Sequence, residues 1–203
     1  MARPRTHDET VRTRLLEEAS QVIADSGAQG LSLRSVARSS HTTTAAVYSL
    51  FGGREALIQA VVEEGFRRFG AVLAAVEHTD DPGADLLALG MAYREFALAD
   101  PHFYRVMFES LGDGLSRPET PASPTFQVLR AAVARAMGLP QDDSREPGSS
   151  PDLDPAGRAA LRLWALAHGL ISLELTGLVP GDADARRRDY AATLRAARGL
   201  VAG

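Results

Sequence analysis

The stretch "SSHTTTAAVYSLFGGREAL", residues 39–57, places three consecutive threonines directly before a run that is otherwise typical of a helix. Threonine is β-branched and loses side-chain freedom inside a helix, so three in succession are unfavourable there. Just before a helix the cost is small, because a threonine hydroxyl can accept a hydrogen bond from an exposed backbone N–H of the first turn. The threonines therefore predict a helix boundary, with Thr43 as the N-cap.

Two short helices are predicted on either side of a turn at residues 40–42. Ser32 is a second N-cap candidate, and apolar residues at helical spacing follow both caps. The predicted short helices span about 32–39 and 43–50, and a longer helix at about 8–26 precedes them. A long helix followed by two short ones across a tight turn is the arrangement of a helix-turn-helix module. The second short helix of such a module enters the major groove of DNA.

The rest of the chain shows helical periodicity and almost no strand signals, which predicts an all-α fold. A long fourth helix is expected to end near the sequence "HTDDPG". Further helices are predicted at about 84–99, 101–110, 123–137, 156–177 and 182–201. Two segments rich in Pro, Gly, Ser and acidic residues, 112–124 and 138–155, are predicted to be loops, and the second is expected to be mobile.

Composition narrows the class of function. The chain has 203 residues and no cysteine, which excludes disulfides, thiolate metal sites and cysteine nucleophiles. Its five histidines are dispersed, and no phosphate-binding loop, dinucleotide fingerprint, zinc-protease or serine-hydrolase motif occurs. We therefore predict no metal, no cofactor and no enzymatic activity, with an enzyme as the main rival class.

Charge and hydropathy indicate a cytoplasmic protein whose N-terminal part binds a polyanion. Residues 1–60 hold seven arginines against six acidic residues, whereas the remainder holds 15 against 20. A nucleic-acid contact is therefore expected within the first sixty residues. No apolar run follows the N-terminal arginines, so no signal peptide is predicted. The apolar window 163–179 carries His168 and Glu174, which favours a buried helix over a membrane span.

Position within the module suggests which residues contact DNA. Thr44 and Ala45 occupy the first turn of the recognition helix, where small side chains allow close approach to base edges. Tyr48 and Ser49, one turn further on, are expected to reach phosphate oxygens, and Arg54 opens the next helix with its guanidinium toward the backbone phosphates. The candidate DNA contacts are Arg34, Thr43, Thr44, Ala45, Tyr48, Ser49 and Arg54. An N-terminal arm at residues 1–7 could add contacts through its arginines.

The segments "GLSLRSVAR", "HTTTAAVYSLF" and "GGREAL" follow one another through residues 9–58. Together they resemble the DNA-binding domain of the TetR (tetracycline-repressor) family of bacterial regulators. The resemblance implies a helix-turn-helix DNA-binding domain at residues 1–55. It also implies that Thr43, Thr44, Ala45, Tyr48 and Arg54 sit where members of the family touch DNA.

The turn departs from the pattern of the family. His41 and Thr42 replace the usual Gly-Val, Leu50 replaces a frequent histidine, and Arg54 replaces a frequent lysine. If residue 41 must adopt a positive φ, histidine costs about 1 kcal/mol relative to glycine. The backbone at residue 41 is therefore a specific point for the structure to test.

A second resemblance covers residues 85–178. The segments "YREFALADPHFYRVMF" (93–108) and "LWALAHGLISLELTG" (163–177) are similar to the C-terminal domain of a TetR subfamily with a Trp…His-Gly signature. This resemblance implies a helical ligand-binding and dimerisation domain at residues 56–203. Aromatic and methionine residues on several of its helices could line a cavity for a small apolar ligand, although such residues are also typical of a packed core. The candidates are Phe66, Phe69, Met91, Phe96, Phe103, Tyr104, Met107, Phe108, Trp164 and His168.

The sequence as a whole predicts a ligand-responsive regulator that represses transcription until a small molecule releases it from a palindromic operator in double-stranded DNA. The resemblance implies a homodimer formed through the last two helices, which fits a two-fold operator. The alternative is a helical ligand- or partner-binding protein whose DNA binding is weakened or lost.

Overall fold

The computed structural model describes residues 5–108, 123–140 and 154–200, and all regular structure in these ranges is helical. Its α-helices are α1 (Arg5–Ser26), α2 (Leu33–Ser39), α3 (Thr44–Phe51), α4 (Arg54–Ala74), α5 (Pro82–Ala99), α6 (Pro101–Phe108), α7 (Pro124–Ala136), α8 (Pro155–Leu175) and α9 (Ala183–Ala196). Short 3-10 helices lie at Ala28–Gly30 and Ala197–Leu200. The predicted all-α class is confirmed. Among the described helices, none is both long and apolar enough to cross a bilayer.

The predicted caps of the two short helices are confirmed. The Ser32 hydroxyl accepts a hydrogen bond from the Ser35 N–H at 3.4 Å, and the Thr43 hydroxyl accepts one from the Ala46 N–H at 3.2 Å. Both cap residues have extended backbone, as an N-cap requires. Thr43 therefore ends the turn and begins α3.

The turn between α2 and α3 requires a left-handed residue, and His41 occupies that position with φ of 52°. The His41 N–H donates to the Arg38 carbonyl at 3.1 Å, and the Thr42 N–H donates to the Ala37 carbonyl at 2.9 Å. This pair of bonds is the Schellman arrangement, which satisfies the last carbonyls of a helix and usually has glycine at the left-handed position. In the part of the chain that the structure describes, His41 is the one residue other than glycine with a positive φ.

Packing divides the chain into two units. Among the described residues, the first holds 5–68 together with 100–108, and the second holds 69–99 together with 123–140 and 154–200. We expected a division at 55/56, but α4 runs without a break through that point, and α6 packs into the core of the first unit. The packing units therefore differ from the predicted domains, while the extent of the DNA-binding domain stays a prediction.

The first unit has a continuous apolar core built from one face of each of its helices. Leu15, Val47, Leu57 and Val61 are fully buried in it, and Phe103 of α6 joins them. Burial of each such side chain contributes about 1.5–3 kcal/mol. The packing of α3 depends on this core, because Val47 is its one fully buried residue among those described.

A cluster of charged side chains on α4 ties the helix to its neighbours within the first unit. Glu64 accepts hydrogen bonds from Arg67 at 2.7 Å and from Arg68 at 2.8 Å, and Arg68 also pairs with Glu17 of α1 at 3.5 Å. The Arg67 hydrogen bond is the largest cause that lowers the pKa of Glu64 to about 2, although burial opposes the shift. The ionised carboxylate is therefore favoured in the folded chain.

The second unit is held together by polar contacts as well as by apolar packing. Arg94 of α5 and Glu174 of α8 form a buried ion pair with two hydrogen bonds, at 2.7 and 2.6 Å. Asp85 accepts from the N–H and hydroxyl of Thr79 and from Arg135 of α7, and these contacts lower its pKa. The apolar core between α7 and α8 includes the fully buried Val133.

The two predicted loops, 112–124 and 138–155, lie mostly outside the described residues, as do residues 1–4 of the predicted N-terminal arm. At the ends of these segments that the structure describes, Pro124 begins α7 after the N-cap Ser123, and Pro155 begins α8 after the N-cap Asp154. The expected mobility of the second loop stays a prediction.

We expect His41→Gly to stabilise the protein by about 1 kcal/mol, because glycine adopts the left-handed conformation without a Cβ conflict. In a thermal melt this corresponds to a gain of roughly 2–4 °C for a chain of this size. Gly52, the left-handed C-cap of α3 at φ 88°, provides the control, since Gly52→Ala should lower the melting temperature. A melting temperature that does not rise in His41→Gly contradicts the assignment of strain.

We expect Glu64→Gln to reduce the acid sensitivity of the protein. A carboxylate whose folded pKa lies near 2 instead of 4.5 stabilises the fold above pH 4.5, and this stabilisation is lost as the pH falls toward 2. The free energy of unfolding, from urea titrations between pH 6 and 3, should therefore differ most between wild type and variant at pH 6. Glu63→Gln, at an exposed carboxylate that accepts from Gln59, is the control. An equal difference at every pH would contradict the prediction.

Candidate DNA interface and ligand cavity

The helix-turn-helix module presents small and polar side chains to solvent. Tyr48 is 56% exposed, although it lies on a helix that packs against the core of the first unit. Thr44, in the first turn of α3, is half-buried. The exposed candidates are Arg34, Thr43, Ala45, Tyr48 and Ser49. Six of the seven predicted DNA contacts therefore have solvent-accessible side chains on α2 or α3 or at their caps.

The opposite side of α3 explains why these residues are exposed. Val47 is fully buried, and Leu50 and Phe51 pack against the same core while remaining partly accessible. The guanidinium of Arg12 on α1 lies 5.4 Å from the centroid of the Phe51 ring, which adds a cation–π contact at the end of α3. Because three positions of this eight-residue helix face the core, Tyr48 and Ser49 face away from it.

Arg54 does not extend outward as expected. Its Nε donates to the Leu31 carbonyl at 3.0 Å, and its Nη2 donates to the Ala28 carbonyl. Both carbonyls lie in the connection between α1 and α2, so Arg54 joins the start of α4 to that connection. Sequence position alone could not show this contact, because the partners lie 23 and 26 residues away. The guanidinium is thus committed to the fold of the module.

A cavity of about 70 Å³ lies within the second unit. Its walls come from the last turns of α4 and from α5, α7, α8 and α9. The lining residues are Phe69, Leu73, Gly83, Leu86, Leu87, Leu89, Gly90, Tyr93, Thr125, Phe126, Leu129, Leu163, Trp164, Ala167 and Leu194. None of these described residues carries a charged side chain.

Only two of the ten predicted pocket residues, Phe69 and Trp164, line this cavity. Five of the others belong to the first unit and do not line this cavity. Tyr104 is fully buried there, and Met107 lies against Gly65, where an added Cβ would be 2.8 Å from its Sδ. The five are Phe66, Phe103, Tyr104, Met107 and Phe108.

The other three predicted pocket residues belong to the second unit but do not line the cavity. Phe96 stacks against Phe69 with ring centroids 5.1 Å apart, and it is buried behind the wall. Met91 is half-buried on α5. The His168 side chain contacts the Tyr93 hydroxyl and the Trp164 ring, and both of these residues line the cavity.

Three aromatic side chains, joined through their polar atoms, lie along one wall of the cavity. The Trp164 Nε1–H donates to the Tyr93 hydroxyl oxygen at 3.4 Å, and this hydroxyl lies 3.0 Å from Nδ1 of His168. Tyr93 was not among the predicted pocket residues, although it is the first residue of the segment "YREFALADPHFYRVMF". The same contact explains the position of His168, which packs beside Trp164 with ring centroids 6.2 Å apart.

Two family models match the chain. The model described as "Bacterial regulatory proteins, tetR family" matches residues 15–61, which include α2 and α3. The model described as "Tetracyclin repressor-like, C-terminal domain" matches residues 86–197, which include most of the cavity wall. Both matches agree with the family resemblance of the sequence.

Two relatives of similar length are transcriptional regulators. The HTH-type transcriptional regulator Rv1816 of Mycobacterium tuberculosis is 26% identical over 197 residues, which cover 86% of this chain and 84% of the relative. The HTH-type transcriptional regulator UidR of Escherichia coli is 25% identical over 203 residues, which cover 97% of this chain and 95% of the relative.

Solved structures agree along nearly the full length of the chain. The putative regulatory protein SCO4313 has a TM-score of 0.68 at 27% identity, over 95% of this chain and 98% of its own. The TetR family regulator PfmR of Thermus thermophilus, at 20% identity and a TM-score of 0.66, shows the same fold. The chain belongs to the tetR family of bacterial regulatory proteins, and it is a ligand-responsive, DNA-binding transcriptional regulator.

Proposed function

We propose that this regulator binds a palindromic operator as a homodimer and leaves it when a small molecule occupies the cavity of the second unit. The observation that carries the proposal is the course of α4. Only two residues separate the end of α3 from the start of this helix, and its last turns supply Phe69 and Leu73 to the cavity wall. A ligand in the cavity therefore contacts the same helix that follows the recognition helix.

The exposed side of the module is suited to DNA contact. Thr44 and Ala45 are small enough to let the first turn of α3 approach base edges in the major groove. Thr43, Tyr48 and Ser49 offer hydroxyls for phosphate oxygens, which position the module without reading sequence. Exposed Arg34 on α2 supplies a charged donor. We place the DNA-binding domain at residues 1–55 and the protein in the cytoplasm, where it meets the bacterial chromosome.

We propose α8 and α9 as the dimer interface. Leu161 and Leu173 on α8 are 41% and 47% exposed, and Leu178 just beyond the helix is 71% exposed. Ala165, one turn after Leu161, is also exposed and small enough for close helix approach. An isologous interface on these helices would relate two recognition helices by two-fold symmetry. The two helices would then need a separation of about 34 Å to enter successive major grooves.

The same cavity offers a route to both functional surfaces. Leu194 places α9 in its wall, and Phe69 and Leu73 place α4 there. The Tyr190 hydroxyl also donates to the Gly90 carbonyl at 3.0 Å, which ties α9 to α5 beside the cavity. A ligand that shifts these walls can change the spacing of the two recognition helices. A coupling free energy of ~1–3 kcal/mol would change operator affinity roughly 5- to 150-fold.

A protein that keeps the ligand-binding part but no longer binds DNA is the alternative. The nearly balanced charge of residues 1–60, with seven arginines against six acidic residues, favours it. The Trp…His-Gly subfamily, which we propose for Trp164, His168 and Gly169, is compatible with both functions. Salt dependence separates them, because phosphate contacts release counterions and weaken as salt rises.

We expect the protein to select a palindromic duplex from a random pool and to bind it less tightly as salt rises from 50 to 200 mM. Tyr48→Phe should weaken binding about 2- to 10-fold, because one hydroxyl contact contributes about 0.5–1.5 kcal/mol. Fluorescence anisotropy of the labelled duplex measures both effects. No binding at 50 mM salt, or affinity independent of salt, would rule out operator recognition and favour the alternative.

We expect Arg34→Gln and Arg54→Gln to differ in their effects. Arg54→Gln should lower the melting temperature, because it removes the hydrogen bonds to the Leu31 and Ala28 carbonyls. Each such bond contributes about 1.5–3 kcal/mol when the donor is charged. Arg34→Gln should leave the melting temperature unchanged. It should make the negative slope of log affinity against log salt shallower by about one unit. Equal melting temperatures for the two variants would contradict the structural role of Arg54.

A further inference from the structure

We propose that the cavity of the second unit takes an uncharged, mainly apolar ligand and excludes organic cations and anions of the same shape. The inference rests on the proposed function in treating this cavity as the effector site. It adds the chemical class of the effector, which neither the family models nor the named relatives state.

Charge is the first criterion. The described lining contains no Asp, Glu, Arg or His side chain. The charged groups of the neighbouring Arg94–Glu174 ion pair bind each other at 2.6 Å and do not line the cavity. A charged ligand would therefore lose its hydration without gaining an opposite charge, which costs far more than burial of a neutral group.

Hydrogen bonding is the second criterion. The polar atoms of Tyr93 and Trp164 contact each other and His168, so they form a closed chain along one wall. Thr125 contributes a hydroxyl, which lies 3.4 Å from the Ser123 hydroxyl. The polar side-chain atoms of the described lining are thus uncharged and already take part in hydrogen bonds, so none of them can neutralise an ion.

Size is the third criterion. An apolar cavity of roughly 150 Å³ holds one benzene molecule, whereas this cavity measures about 70 Å³. A ring-sized ligand therefore requires the wall to adjust. Leu86, Leu87 and Leu129 are partly buried members of that wall, so a change of their side-chain rotamers is the simplest way for the wall to adjust. We infer a ligand of about one ring, with a larger group extending outward only as the wall opens.

Trp164 allows a direct test, because it lines the cavity and is the single tryptophan of the chain. The probes are two isosteric pairs: cyclohexanol with cyclohexylammonium, and cyclohexanecarboxamide with cyclohexanecarboxylate. Titration of the full-length protein at pH 7 follows Trp164 fluorescence. The neutral member of each pair should bind at least about tenfold more tightly than its charged partner. Equal or tighter binding of a charged member overturns the proposed class.

Two substitutions locate the binding. Ala167→Leu fills the cavity from α8, and Leu129→Phe fills it from α7 at a position with more room to adjust. Each should weaken binding of cyclohexanol at least tenfold, whereas Ala71→Leu at an exposed position of α4 should leave it unchanged. If Ala167→Leu does not fold by circular dichroism, Leu129→Phe gives the answer. Unchanged binding in the folded filling variants overturns the assignment of the ligand to this cavity.

Operator binding is measured on the same protein, first without probe and then with the neutral probe at saturation. Absence of probe binding by a protein that binds its operator overturns the ligand class and leaves DNA recognition standing. Selective binding of the neutral probes without any change in operator affinity supports the ligand class and contradicts release of DNA by this cavity.

Discussion

The backbone turn between α2 and α3 is the constraint on which the proposed DNA-facing surface depends. Two hydrogen bonds close the end of α2, and they require residue 41 to adopt a left-handed conformation. Thr43 then begins α3 by accepting from the Ala46 N–H. Because this turn fixes where α3 starts and Val47 fixes which side is buried, Thr44, Ala45 and Tyr48 remain accessible. Strain at His41 is thus maintained by the packing of the module around it.

The second constraint is the continuity of α4. The helix contributes Leu57 and Val61 to the core of the first unit and Phe69 and Leu73 to the cavity of the second. A long helix resists bending because its hydrogen bonds are internal. In the proposed mechanism, a ligand that displaces the last turns of α4 acts on the helix that follows α3.

Local features of the fold could be predicted from the sequence, and long-range contacts could not. Ser32 and Thr43 were identifiable as caps, because each cap depends on residues only a few positions away. Residue 41 was a candidate for positive φ because the resembled family usually has glycine there. The contacts of Arg54 within the module could not be predicted, because its carbonyl partners lie 23 and 26 residues earlier. Helical periodicity shows which side of a helix is buried, but it does not show which helix covers it. For that reason Tyr104 and Met107 were expected in the cavity, whereas Tyr93, which contacts His168 across 75 residues, was missed.

Occupation of the apolar cavity is proposed to control operator binding. The most direct measurement is the affinity for the selected palindromic duplex, by fluorescence anisotropy, in the absence and presence of a saturating neutral ligand identified by Trp164 fluorescence. We expect the ligand to lower the affinity of the wild-type protein roughly 5- to 150-fold and to leave the affinity of folded Leu129→Phe unchanged. Operator affinity that is the same with and without a saturating cavity ligand would contradict it.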